Sequence, residues 1–312
     1  MRIAGTSYTD SMINQLNYLS TQQYLLQGQI STGQRVQKPE DDPAAMAQAL
    51  SLQADTNQVT QYAQNISSLQ TSANTAYGAM QQIKTISDRA GEIATLADGT
   101  KTPAELQAYA SEVNELIQHA VSLANGKDGD HYMFSGTKSD TAPFSATTDA
   151  NGTVTAVAYQ GDTSVAQTEI AQGTTISVGT PGENTTGSGP RGLLADSRYG
   201  ADFFNHMISL QKDLASGNTS AISKVDQPAL AKDEDNLIYQ ISNNGVIQSR
   251  LDSAATTASN LQSSLQQSFT KVAGVDMTQA ITDLSQAQST YQAALSSSSV
   301  LLQLQQSVMV YL

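Results

Sequence analysis

The sequence predicts a mainly α-helical chain, a long coiled-coil-like helical bundle formed by the N- and C-terminal segments, with a small β-rich domain inserted between them. Three observations predict it. Over both ends of the 312-residue chain apolar residues recur at alternating steps of three and four, the spacing of a helix that buries one stripe. That spacing vanishes in the middle, where Gly, Thr and Val rise and turn signals appear. Charged residues make up only 14% of the chain, well below the roughly one quarter of an average globular protein, and Ala, Ser, Gln and Thr take their place, as long weakly polar helices allow.

The elements follow in order. Met12, Leu16, Leu19, Gln23, Leu26 and Ile30 mark a first helix of about 25 residues, which Gly33 ends. Lys38-Pro39-Glu40-Asp41-Asp42-Pro43 reads as a turn, with Asp42 capping the next helix and Pro43 at its first position. Val59, Tyr62, Ile66, Leu69, Ala73, Ala76, Met80 and Ile83 carry that helix from 43 to 97. Asp98-Gly99-Thr100 closes it, and Thr102-Pro103-Ala104-Glu105 is a capping box opening a third helix through Leu106, Val113, Ile117 and Ala120. Asn151-Gly152, between two Thr-rich runs, predicts a hairpin turn. Residues 179–190 read as a loop or linker. Helical pattern returns near Ser197 with Phe203, Met207, Leu210 and Leu214, then with Leu230, Leu237, Ile241, Gln248, Leu251 and Ala258. Ala273-Gly274-Val275 interrupts it, and Asp276 to Gln279 predicts a second capping box for a last helix about 55 Å long. The domains expected are a tail helix over 1–42, half a bundle over 43–137, the β-rich insertion over 138–190, the other half of the bundle over 191–274, and a tail helix over 275–312.

Composition excludes several function classes. Acidic residues outnumber basic ones by 28 to 15, leaving a net charge of -13, which repels a phosphate backbone or an anionic lipid surface. Nucleic acid is therefore not an expected partner. The absence of Cys removes disulfides, thiolate metal sites and Cys nucleophiles. The N-terminal residues lack the apolar core of a Sec-type signal, and no window approaches the ~20 apolar residues that cross a bilayer, so no membrane insertion is expected. His119, His131 and His206 show no metal-binding spacing, and Asp128-Gly129-Asp130 lacks the remaining oxygens of a calcium loop. No catalytic, metal or cofactor site is expected, and an enzyme is not.

The tails carry the functional expectation. In the last helix Ile281, Leu284, Gln288, Tyr291, Leu295, Ser298, Leu302, Gln305, Met309 and Leu312 keep a seven-residue spacing, and Ala280, Ala287, Ala294, Leu301 and Val308 lie beside it. Two adjacent lines make a stripe wider than one partner helix covers. From 277 to 312 the only charged residue is Asp283, and from 1 to 34 the only ones are Arg2 and Asp10. Helices facing water normally carry many charges, so both tails are expected to be buried in the working state. The assembly interface expected is Met12, Leu16, Leu19, Leu26, Ile30, Ile281, Leu284, Tyr291, Leu295, Leu302, Met309 and Leu312. The competing reading is an ordinary coiled coil that pairs its own ends within a monomer or dimer.

Gln29-Ile30-Ser31-Thr32-Gly33-Gln34-Arg35-Val36, leading into Pro39-Glu40-Asp41-Asp42-Pro43-Ala44-Ala45, resembles the signature of the flagellin superfamily: a helix ending in Ser-Thr-Gly, a basic residue, then paired Asp. Pro43, Tyr132-Met133-Phe134-Ser135-Gly136-Thr137, Tyr159-Gln160-Gly161-Asp162 and the start Met1-Arg2-Ile3 are similar to the hook-filament junction branch of that superfamily, flagellin itself being the alternative. The resemblance implies a secreted, extracellular structural subunit, exported through the flagellar type III apparatus. It implies as partners other copies in a ring, a neighbouring hook-associated protein on the hook side, flagellin on the filament side, and a cytoplasmic export chaperone on the C-terminal helix. It places the tail helices in an inner tube and Arg35, Asp41, Asp42 and Pro43 at the turn between tube and bundle. That turn is either a capped, solvated one or an ionic contact between subunits.

Overall fold

The computed structural model describes residues 2–310, with side chains described for 10–300 and Gln303. Its long helices are α1 (Arg2–Thr32), α2 (Pro43–Leu96), α3 (Pro103–Ala124), α4 (Phe203–Ser216), α6 (Gln227–Ala273) and α7 (Met277–Val310), with a short α5 (Thr219–Ala221) and a π turn (Ile222–Asp226) leading into α6. The chain divides into a terminal unit, Met1–Val59 with Asn260–Leu312, and a central unit, Thr60–Ser259. Helices α2 and α6 contribute to both.

Local chemistry fixes the helix ends. Gly33 stops α1 at φ +68°, a left-handed conformation that lacks a Cβ penalty only in Gly. Asp42 Oδ1 accepts from Ala45 N at 3.0 Å, and Pro43, which has no N–H to leave unpaired, opens α2. At α3 the capping box is complete: Thr102 Oγ1 accepts from Glu105 N at 3.3 Å, and Glu105 Oε2 accepts from Thr102 N at 2.8 Å. At α7 it is not complete. Asp276 Oδ1 accepts from Thr278 N and Gln279 N, but the Gln279 amide donates forward to Asp283 at 2.8 Å because helical spacing brings residues four apart together.

In the central unit α3 turns Leu106, Ala110, Val113, Ile117, Ala120 and Ala124 inward, and α4 answers with Phe203, Met207, Leu210 and Leu214. With Met80, Ile83 and Ile93 of α2 they form one core. The strands are short: β1 (Lys127–Asp128) with β2 (His131–Tyr132), β3 (Phe144–Thr148) with β4 (Val154–Tyr159), β5 (Thr168–Ala171) with β6 (Thr174–Ile176), and β7 (Glu183–Asn184), β8 (Ala195–Asp196) and β9 (Ala201–Asp202) in order. All pairs are antiparallel except β7–β8. Strand pairing thus extends outside the composition-marked stretch, and α4 begins at Phe203 rather than near Ser197. The turn of β3–β4 is longer than Asn151-Gly152 alone suggests, because Thr148 pairs with Val154. Asp149 Oδ1 accepts from Asn151 N and Thr153 N, a side-chain turn that Asp favours.

Two sequence motifs meet where the β-rich part leaves the bundle. Asp162 accepts from Thr137 N at 3.0 Å and from Thr137 Oγ1 at 2.6 Å, and its own N–H donates to Ser135 O. Tyr159 Oη donates toward Phe134 O and Asp162 O, both at 2.9 Å. Helix α6 then holds the returning chain by its backbone. Asn236 Nδ2 donates to Gly192 O and Leu193 O, and Gln240 Nε2 to Arg191 O and Gly192 O. The Arg191 guanidinium lies over Tyr199 at 3.6 Å and Tyr239 at 4.2 Å, a cation–π arrangement.

Candidate assembly surface

The two breaks that separate tail helices from the rest of the terminal unit are joined to each other. Arg35 N donates to Ala273 O at 2.7 Å, Val275 N donates to Gly33 O at 3.0 Å, and Gln34 pairs with Gly274 as an antiparallel bridge. Val36 and Ala273, 3% and 1% exposed, seal this bridge. Gly274 is required because a Cβ there would strike the Thr270 carbonyl. Around the bridge, Arg35 reaches Asp42 Oδ2 at 3.4 Å and the Val272 carbonyl at 3.2 Å. Asp41 Oδ2 accepts from Gln37 N and Lys38 N, both at 2.9 Å, which holds its carboxyl below the ordinary range, the Gln37 N–H most strongly. The Ala45 N–H, followed by Arg35, lowers Asp42 in the same way. Both carboxylates are therefore firmly ionised at neutral pH, and Asp42 caps a helix while also facing a cation.

Beyond this bridge α7 runs against α1. The contact uses small residues: Ala280 and Ala287 are buried against α1, where Leu19 is the buried counterpart, and Gln23 Nε2 donates to the Ala287 carbonyl at 3.1 Å. Met12, Leu16, Leu26 and Ile30 on α1, and Leu284 and Tyr291 on α7, are half-buried. Larger apolar side chains point outward. Tyr24 is 73% exposed, Tyr18 58%, Ile281 and Val300 55%, Leu25 50% and Leu295 43%. A groove of about 650 Å³ between the helices is lined by Tyr18, Leu19 and Leu26 on one side and Asp283, Ala287 and Thr290 on the other.

The alanine line of α7, which lies outside the expected interface, is the one buried beside α1 at Ala280 and Ala287, whereas Ile281 and Leu295 of the expected interface stay open to water. The reason is width: small Ala side chains let two helices approach closely, and the bulky line beside them cannot enter the same seam. Leu302 and Met309 fall on α7 with side chains outside the described residues, and Leu312 lies outside them entirely. Sequence reasoning did not find the bridge between 33–36 and 273–275, since residues about 240 positions apart give no local signal; the helix breaks at Gly33 and Gly274 are its trace in the sequence. Among the described residues no group of three His, Asp or Glu could hold a metal ion, and no helix is long and apolar enough to cross a membrane.

Fold and surface together define a class of protein: a helical chain folded back so that its two ends pair, with small β elements between and wide apolar helix faces left open. The bacterial flagellin N-terminal helical region matches residues 6–139, and the bacterial flagellin C-terminal helical region matches residues 233–312. Carrying both regions, the chain belongs to the flagellin superfamily. Within it the chain resembles the hook-filament junction protein. It is 34% identical over 119 residues to flagellar hook-associated protein 3 of Escherichia coli K12, and 32% identical over 122 residues to that of Salmonella typhimurium LT2. In each case the match spans 38% of this chain and 38% of the relative. Among solved structures, the Legionella pneumophila flagellar hook-associated protein-3 superposes with a TM-score of 0.59 at 14% identity, over 71% of this chain and 98% of that one. Xanthomonas campestris FlgL does so with a TM-score of 0.56 at 19% identity, over 70% and 99%. At these identities the superpositions speak for the fold.

Proposed function

We propose that this protein is a non-enzymatic structural subunit of the bacterial flagellum, an adaptor at the hook-filament junction that polymerises through its paired N- and C-terminal helices and seats flagellin. The observation that carries this reading is the surface of the α1–α7 pair, where Tyr18, Tyr24, Leu25, Ile281, Leu295 and Val300 stand exposed on helices almost free of charge. A monomer leaves these faces wet; copies stacked side by side cover them, at about 25 cal/mol per Å² of apolar surface removed from water. Each copy offers the same outward faces to its neighbours, which suits a ring or tube. The partners that accompany this reading are other copies of the chain, a hook-associated protein on the hook side, flagellin on the filament side, and before export a cytoplasmic chaperone on α7. Localisation is extracellular, after secretion through the flagellar apparatus. The bridge of Gly33–Val36 to Ala273–Val275 supports it further, since it fixes the two tails to leave from one point.

The superfamily also contains filament-forming flagellins, so a filament subunit is the second reading. Immunogold labelling of intact flagella separates them. A single band between hook and filament is the expected result. Label along the whole filament would replace the adaptor by a filament subunit, and label confined to the cell interior would defeat both.

A further inference from the structure

One contact between a histidine and a carboxylate fastens the start of α4 to α6, and the assembly reading does not use it. His206 Nδ1, in the first turn of α4, lies 2.7 Å from Asp233 Oδ2 of α6. Asp202 N, at the end of β9, donates to Asp233 Oδ1, also at 2.7 Å. Facing a carboxylate this closely, Nδ1 carries a proton. Asp202 is the cap residue of α4, but its side chain makes no cap hydrogen bond. The Asp233 carboxylate comes instead from α6 to that helix start, where unpaired N–H groups and the helix dipole favour negative charge. Asp233 is 1% exposed. A carboxylate so far from water needs a countercharge, and among the described residues the group that pairs with it and can supply one is His206. Asp202 acts on His206 from β9 and Lys232 from α6, and His206 acts in turn on Asp226 of the π turn. Of the elements packed against α4, β4 and α5 have no charged residue. On α3, Glu105 is spent on its cap and Glu112 on Arg89, while Glu115 and His119 are exposed. On α4 itself Lys212 is exposed, and Asp213 accepts from Asn218.

We propose that this contact is a pH-operated clasp: a proton on the His206 imidazole closes an ion pair that holds the start of α4 on α6, and loss of that proton leaves Asp233 buried without a countercharge and weakens the hold. The proton comes from water and sits on Nε2, because the Nδ1–H is engaged with Asp233 in both states. The Asp233 hydrogen bond raises His206 above its ordinary value of 6.5, with burial acting against it. The stabilisation is therefore complete below 6.5, where the folded and the unfolded imidazole are both charged, and is lost as pH rises through the higher folded value. Two neighbouring carboxyls act lower on the scale. Burial raises Asp233 above 3.8, with the His206 hydrogen bond opposing it, and burial pushes Asp226 up to about 6. The clasp is accordingly isolated by working above pH 6.5 and by comparing the wild type with a variant at His206.

The experiment uses the full chain, which has three histidines. Their imidazole Cε1–H signals are followed by 1H NMR, and urea unfolding of the helical signal is measured from about pH 6.5 to 9, for the wild type, His206→Asn and Asp233→Asn. The signal absent from His206→Asn identifies His206. The expected result is that this signal titrates above 6.5 in the wild type and moves down in Asp233→Asn. The wild-type folding equilibrium constant is expected to weaken across the range relative to His206→Asn, by about tenfold for every pH unit by which the folded titration lies above the unfolded one. An Asn amide donates to Asp233 at every pH, so that variant has no charge to lose. The proposal is overturned if His206 titrates at or below 6.5, or if His206→Asn keeps the full wild-type pH dependence. Should His206→Asn fail to fold, His119→Gln and His131→Gln, both at exposed sites, identify the remaining signal by elimination, and its titration decides.

Discussion

Gly136 and Asp162 show how much one residue type decides here. Gly136 sits at φ +70°, and a Cβ on it would press into the Asp162 carbonyl, so the loop that joins α3 to the β-rich part closes only around Gly. Gly136→Ala is expected to destabilise the central unit by about 1–3 kcal/mol through the forced positive φ and the collision together. Urea unfolding of the full chain measures it, and a wild-type midpoint would show that the loop can yield. The motifs containing these residues, Ser135-Gly136-Thr137 and Tyr159-Gln160-Gly161-Asp162, were legible as strings but not as partners. Thr137 and Asp162 are joined only by a pair of hydrogen bonds across 25 positions, and such contacts carry no periodicity. The same limit hid Asn236 and Gln240. Buried amides on a helix read as solvent-facing residues until the carbonyls of Arg191, Gly192 and Leu193 arrive to satisfy them.

At the scale of elements, the helices whose ends are made by their own residues were the most legible. Pro43 after Asp42, and Thr102 with Glu105, specify where α2 and α3 begin within the strand of sequence that forms them. The two-residue strands β1, β2, β7, β8 and β9 and the π turn were not, since they are too short to show a repeat. On α7 the sequence pattern located two apolar lines, and the structure separates their roles. The alanine line is internal, so Ala287→Asp places a charge in the α1–α7 seam and is expected to cost the terminal unit more than about 2 kcal/mol. Leu295→Asp changes a residue 43% exposed and is expected to leave the monomer within about 0.5–1 kcal/mol of wild type, while abolishing association with other copies. Ser297→Asp, on the exposed side, serves as control and should do neither. Thermal unfolding and sedimentation of the three variants check this. Equal loss of association in Leu295→Asp and Ser297→Asp would remove Leu295 from the interface.

The whole molecule divides its work between two units of different chemistry. The central unit holds the large apolar core from Ala76 to Leu237 and, among the described residues, most of the ion pairs, such as Arg89 with Glu92 and Glu112, and its structure depends on residues between Thr60 and Ser259. Among the described residues the terminal unit has little core of its own beyond Leu19, Val36, Ala49, Val59, Ala273, Ala280 and Ala287, and its helices gain most of their stability by packing. Removal of residues 300–312 is therefore expected to leave the central unit folded, with its main thermal transition unchanged, because among the described residues nothing in that core comes from α7. The same truncation shortens the apolar faces that copies must share, so polymerisation in vitro and incorporation into flagella should both be lost. Salt supplies an independent check on the full chain. With a net charge of -13, copies repel at long range, and screening that repulsion leaves uncharged helix faces unaffected. Polymerisation followed by light scattering should therefore accelerate as salt is raised from about 10 mM to 150 mM, where the screening length falls from roughly 30 Å to 8 Å. An assembly held chiefly by ion pairs, including one at Arg35 and Asp42, would slow over the same range, and that outcome would move the interface from the apolar faces of α1 and α7 to the charged turn.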